Sequence, residues 1–166
     1  TCANGEIVVA PAARGFGADL EAVRDRISSK TRLIFIANPN NPTGTWVGLG
    51  EIEKLLLAVP KSVWVVIDEA YFEYLDHPQY GSALCLMERF ENLIITRTFS
   101  KIYGLASLRL GYGITSSKFA DLLNRARQPF NVGGLTLAAG VVALSDDEFV
   151  IESRQENEKG LRQLEK

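Results

Sequence analysis

Apolar and polar positions along the chain fall into short runs that switch between strand-like and helix-like periods. Residues 6–10 read as a short strand closed by Pro11. Leu20, Val23 and Ile27 then recur at helical spacing behind Asp19, a suitable N-cap, and predict a helix through about Ser28. Residues 32–37 form a continuous apolar run, the pattern of a strand buried on both faces. The turn-rich segment 38–44 breaks it. Ile52, Leu55, Leu56 and Val59 predict a second helix over about 50–59, stopped by Pro60. Residues 62–67 and 92–96 predict two more strands, with a short helix over 83–90 between them.

Downstream, residues 108–114 predict a fourth strand and residues 116–127 a helix with Phe119, Leu122 and Leu123 on its apolar side. Residues 134–144 form an apolar, Ala-rich helix expected to be buried. Asp146 opens a charged final helix. Strands alternating with helices predict an α/β fold, a three-layer sandwich around a mostly parallel mixed sheet. The connection from Thr96 to Leu108 is only about a dozen residues and rich in glycine and hydroxyls, too short for a usual crossover. The strand at 108–114 is therefore expected to run antiparallel.

Composition narrows the function classes. The 166 residues are 46% hydrophobic and 23% charged, which fits one globular domain with a sizeable core. A net charge of −2 without a long basic run points away from nucleic acid or an anionic membrane surface. The apolar runs are short and broken by charge, so no transmembrane helix is expected. The first residues lack the pattern of a signal peptide and a starting Met, and are expected to open a partial chain. Cys2 and Cys85 are far apart and read as unpaired thiols of a cytoplasmic protein. His77 is the only histidine, in a turn-like stretch without a second ligand, so no metal site is expected.

Three polar clusters follow three predicted strands: Asn41, then Asp68, then Thr98, Ser100 and Lys101. In a parallel sheet all three fall at the edge where strand C-termini open onto a ligand crevice. Lys101 is a candidate Schiff-base nucleophile; taken alone it reads more readily as a surface lysine in a loop, and its neighbours shift that reading. Asp68 suits a protonated ring nitrogen, or else a salt bridge or N-cap. Glu69 beside it reads as structural. Tyr71 places a hydroxyl or a packing ring three residues on. Asn41 precedes Pro42-Thr43-Gly44, which forces a tight turn at the crevice. Thr98, Ser100 and Arg109 offer the donors a phosphate needs, and Arg109, in an apolar strand, requires an anion or carbonyl partner. Arg97, Arg125 and Arg127 read as solvated charges. The glycines match neither the dinucleotide fingerprint nor the P-loop.

The segments Asn38–Gly44 (NPNNPTG), Asp68–Tyr71 (DEAY), Arg97–Arg109 (RTFSKIYGLASLR) and Gln128–Val132 (QPFNV) resemble, in order and spacing, those of the fold-type I, class I/II aminotransferases that use pyridoxal phosphate. The histidinol-phosphate branch of that family is the most similar. The resemblance implies that Lys101 carries the cofactor as a Schiff base and then moves the substrate's α-proton. It implies Asp68 at the pyridine nitrogen, Asn41 and Tyr71 at the ring oxygen, and Thr98, Ser100 and Arg109 at the cofactor phosphate. The implied reaction passes an amino group between histidinol phosphate, or an aromatic amino acid, and 2-oxoglutarate, in histidine biosynthesis, in a cytoplasmic homodimer.

Members of this family are considerably longer. The resemblance makes residues 1–150 part of the cofactor-binding large domain and residues 151–166 the start of a helix leading to a small domain. An upstream phosphate-cradling loop, a tyrosine lent by the neighbouring subunit and a C-terminal arginine for the substrate carboxylate lie outside the matched positions. Ser107 stands where the branch often has glycine. These 166 residues alone are therefore expected to be largely inactive. A phospho-amino-acid decarboxylase of the same fold, a non-catalytic ligand-binding module and a purely structural α/β piece are the competing readings.

Overall fold

A computed structural model describes residues 5–165 of the chain. Cys2, read above as a free thiol, lies outside them; Cys85 is unpaired and exposed. The elements follow in the order α1 (Leu20–Asp25), β1 (Leu33–Ala37), α2 (Leu49–Ala58), β2 (Trp64–Asp68), β3 (Leu93–Thr98), β4 (Gly111–Ile114), α3 (Ser117–Ala126), α4 (Gly134–Ala143) and α5 (Asp147–Leu164). Asp19 caps α1 by accepting from the Ala22 amide at 2.9 Å, and Asp146 caps α5 through the Phe149 amide at 3.1 Å. The predicted helix at 83–90 is only a 3-10 turn, Ala83–Leu86, capped by Ser82.

The four strands lie in sequence order. β1, β2 and β3 are parallel, and β4 returns antiparallel to β3, as the short connection predicts. The chain between β3 and β4 makes a 3-10 turn, Ala106–Leu108, so the antiparallel strand starts at Gly111 rather than Leu108. Gly111 is fitted to this pairing: a Cβ there would lie 2.9 Å from the Arg97 carbonyl on β3.

One face of the sheet carries the main core. Ile34 and Ile36 of β1, Val65 and Ile67 of β2, and Leu93 and Ile95 of β3 pack against Ile52, Leu55 and Leu56 of α2. Leu20, Val23 and Ile27 extend that layer from α1. On the opposite face Trp64 stacks on Phe119 of α3, with ring centroids 3.8 Å apart. The α/β sandwich with a mixed, mostly parallel sheet is thus as expected.

Three expectations are corrected. Residues 6–10 form no strand: Ile7, Val8 and Val9 are exposed, and a β-prone run becomes a strand only where a neighbour supplies the ladder. β1 is buried on one face only: Leu33 and Phe35 point away from α2 and are left exposed, without a layer over them among the described residues. α4 is not buried: Leu135, Leu137, Val141 and Val142 are exposed, and Gly140 alone is closed off, against Leu110 and Phe99. An all-round apolar helix states that burial is sought but not which element supplies it.

Two substitutions test this packing. Ile52→Ala, at a fully buried position, is expected to lower unfolding free energy by about 2–5 kcal/mol in urea titrations. Gly111→Ala should also destabilise, since the Arg97 carbonyl is backbone and has little room to retreat. Wild-type midpoints for both variants would contradict the packing described.

Candidate functional site

Parallel pairing sets three strand ends side by side. Ala37 of β1 pairs with Asp68 of β2, and Asp68 with Thr96 of β3. The ladder continues past the strands: the Asn38 amide donates to the Asp68 carbonyl and the Glu69 amide to the Thr96 carbonyl, both at 2.9 Å. The segments that carry Asn41, Asp68–Tyr71 and Thr98–Lys101 therefore leave the sheet at one edge.

Each segment is shaped by buried neighbours that leave the candidate groups outward. Asn38 is buried and holds Val47 through both its amide groups, Nδ2 to the Val47 carbonyl at 3.1 Å and the Val47 amide to Oδ1 at 2.9 Å. The Tyr80 hydroxyl donates to the Asn38 carbonyl at 3.1 Å. Gly44, at φ 66°, closes the following turn with its amide on the Asn40 carbonyl. Asn41 is left exposed, and its Nδ2 donates to the Tyr71 hydroxyl oxygen at 3.1 Å. That leaves the Tyr71 proton free to point at a third group.

Lys101 stands on a short loop pinned by Phe99 and Ile102, both buried. The Phe99 amide donates to the Leu110 carbonyl, the Leu105 amide to the Phe99 carbonyl and the Gly104 amide to the Lys101 carbonyl. Gly104 takes a left-handed φ of 68°, which this tight turn requires. The Lys101 Nζ sits 5.1 Å from the centre of the Tyr71 ring, within cation–π range. The Thr98 hydroxyl oxygen accepts from the Ser100 amide at 3.0 Å and donates to the Leu110 carbonyl at 3.4 Å, so it shapes the loop.

Arg109 is not in a strand. It ends the 3-10 turn in the left-handed region at φ 52°, a conformation a non-glycine residue adopts at a cost. From there its Nη1 donates to the Ser100 hydroxyl oxygen at 3.3 Å and to the Ala106 carbonyl at 2.8 Å. The remaining guanidinium donors and the Ser100 proton are unspent in these bonds. Among the described residues the Asp68 carboxylate accepts only from the Ala70 amide, at 3.1 Å. Among the described residues no ion pair involves Asp68, Lys101 or Arg109. One edge thus presents a carboxylate, an amine, a guanidinium and two side-chain hydrogen-bonding groups, without counter-ions.

Behind this edge lies a network that the sequence reading missed. Glu69 is 1% exposed and Arg97 15%. Arg97 donates from Nε and Nη2 to Glu69 Oε2 at 3.1 and 2.8 Å, and its guanidinium covers the Phe72 ring at 4.3 Å. The Ser82 hydroxyl and the Ala83 amide also donate to Glu69. Arg97 is therefore the partly buried partner of a buried carboxylate, not a solvated charge; the reason is that it alternates with Thr96 and Thr98 and faces the turn that follows β2. The legible signal was an acid and a base one residue past matched positions of adjacent parallel strands. Burial disfavours the Arg97 charge, but the Glu69 hydrogen bond and charge outweigh it and raise its pKa.

Glu73 borders this network. Burial, the largest effect, raises its pKa above the usual 4.5, against the lowering pull of a backbone hydrogen bond and of Arg97. The Tyr103 hydroxyl is pushed up to about 12 by burial and by the Glu73 charge. Glu73 Oε1 is buried without a hydrogen-bond partner among the described residues. A carboxyl whose folded pKa is raised binds its proton more tightly in the folded state. The stability it contributes is complete below pH 4.5 and is lost as pH rises through the folded value. Glu73→Gln should therefore melt above wild type at pH 7, with the gap closing as pH falls below 4.5. A gap independent of pH would contradict this assignment.

Comparison with known proteins matches the chain to one family. The family model for "Aminotransferase class I and II" matches residues 1–166. A histidinol-phosphate aminotransferase of Nitrosococcus oceani is 55% identical over 152 residues, covering 92% of this chain and 41% of that protein. The crystal structure of histidinol-phosphate aminotransferase from Sinorhizobium meliloti, in complex with pyridoxal-5'-phosphate, superposes with a TM-score of 0.83 at 31% identity, over 91% of this chain and 41% of that one. An L-threonine-O-3-phosphate decarboxylase from Porphyromonas gingivalis shares the fold, with a TM-score of 0.66 at 24% identity over 79% of this chain and 40% of its own. The chain spans about two-fifths of the length of these relatives. With its mixed sheet and its motifs at the strand ends, the chain belongs to the class I and II aminotransferases.

Proposed function

We propose that this chain supplies the cofactor-holding part of a pyridoxal-phosphate-dependent aminotransferase, with Lys101, Asp68, Asn41, Tyr71, Thr98, Ser100 and Arg109 as the site. The observation that carries the reading is the donor set at the strand ends. Pyridoxal phosphate offers a basic ring nitrogen, a phenolic oxygen, an aldehyde and a phosphate. The edge offers a carboxylate, an Asn–Tyr pair with a free hydroxyl proton, an amine and a serine–arginine pair, in that correspondence. The residues fit the group.

When bound, the cofactor supplies an electron sink for the charge left on the substrate carbon. The chain's own residues do the rest. The Lys101 amine would hold the cofactor through its aldehyde, and once free would carry the substrate's α-proton as base and acid. Asp68 would sit against the ring nitrogen and hold a proton there. The Tyr71 hydroxyl, oriented by Asn41, donates to the phenolic oxygen. Ser100 and Arg109 donate to the phosphate, and Thr98 holds the Ser100 backbone beneath them. The left-handed backbone at Arg109 aims its guanidinium back at Ser100, which sets the width of that anion seat.

The amino donor is proposed from the relatives. At 55% identity the name is histidinol-phosphate aminotransferase, so histidinol phosphate with 2-oxoglutarate is the proposed substrate pair, in histidine biosynthesis. The decarboxylase shares only the fold. We further propose a homodimer in the cytoplasm; among the described residues no helix is long and apolar enough to cross a membrane.

The test assays the whole protein that contains this chain, with pyridoxal phosphate, histidinol phosphate and 2-oxoglutarate. Glutamate should form without carbon dioxide release. Lys101→Ala should lower the rate by about 10²–10⁴-fold or more through loss of proton transfer alone. Carbon dioxide release from a phospho-amino acid, or a Lys101→Ala variant as active as wild type, would overturn the reading.

A further inference from the structure

We infer that Glu69 and Arg97 are a positioning pair, which fixes the separation of Asp68 and Lys101 by tying the end of β2 to the end of β3. The inference rests on the cofactor site proposed above. Asp68 and Lys101 must meet opposite ends of one rigid ring, so their spacing matters to the reaction, yet no hydrogen bond joins them directly.

The pair is built for direction. Glu69 follows Asp68, and Arg97 precedes Thr98, the residue whose hydroxyl holds the Ser100 amide. Arg97 presents Nε and Nη2 together to Glu69, and Phe72 covers the guanidinium face. Glu69 is fixed further by Ser82 and the Ala83 amide, and its own amide is held by the Thr96 carbonyl. Every bond in this set crosses between the two segments or braces one member. Two apolar side chains of similar volume would fill the same space, though without an acceptor for Ser82 and the Ala83 amide. The fork of charged bonds adds a fixed angle and register, which apolar contact does not provide.

This separates a positioning role from a merely structural one. The whole cofactor-loaded protein is compared with Arg97→Lys and with the double variant Glu69→Met/Arg97→Met. Readouts are melting temperature, pyridoxal-phosphate dissociation, the pH midpoint of the cofactor's visible band, and kcat and KM separately. The double variant leaves the buried Ala83 amide without its acceptor, so it should melt below wild type, and it should bind the cofactor about tenfold more weakly, as supporting groups typically cost. Its band midpoint should move, and kcat should fall by roughly 10²-fold, the scale of a small misplacement, with KM little changed. Arg97→Lys keeps the charge without the fork and should lie between the two.

A double variant with wild-type dissociation, midpoint and kcat would overturn the inference. Should the double variant not fold, Arg97→Lys decides: a wild-type band midpoint and kcat overturn it, and a shift in both supports it. Absence of a visible band in the wild-type protein would instead remove the cofactor reading, and this inference with it.

Discussion

Parallel pairing of β1, β2 and β3 in register is the constraint from which the site follows. With Ala37, Asp68 and Thr96 abreast, the three segments that leave the strands share one edge, whatever their distance in sequence. Each strand is pinned by the residues it buries: Ile34 and Ile36, Val65 and Ile67, Leu93 and Ile95 all face α2. A slip of one residue in β2 would turn Val65 and Ile67 out of the core and Asp68 into it. The apolar core and the position of the carboxylate are thus set by the same register.

Charge divides into two layers at this edge. Asp68, Lys101 and Arg109 are exposed. Glu69 and Arg97, each adjacent to a site residue, are buried and largely buried respectively and are paired with each other. An exposed charge without a protein partner keeps its capacity for a ligand, and a buried one must be satisfied by the protein. The alternation of side chains along β3 places both kinds within three residues, with Arg97 facing the turn after β2. Loop geometry serves the same end. Phe99 and Ile102 sink into the protein on either side of Ser100 and Lys101, and left-handed backbone at Gly104 and Arg109 folds the chain back toward them.

Much of this was legible in the residues. Period and caps located α1, α2 and α5, and the short Thr96–Leu108 connection indicated the antiparallel return. The strand-end clusters pointed to the edge where Asn41, Asp68 and Lys101 lie. What stayed hidden depended on partners distant in sequence. Phe35 and α4 are as apolar as buried residues, but burial is decided by what packs on them. Residues 6–10 have strand composition without a neighbouring strand to pair with. Arg97 looked like a solvated charge because its partner, Glu69, is 28 positions away. Arg109 was placed in a strand because local apolarity does not reveal a left-handed residue.

The proposed site requires that one lysine, Lys101, carries pyridoxal phosphate at this sheet edge. The whole protein would be incubated with the cofactor, reduced with borohydride, digested and mapped by mass spectrometry. A single phosphopyridoxyl adduct is expected, on the peptide that contains Lys101. An adduct on another lysine, or a diffuse spread over several with Lys101 unmodified, would contradict it.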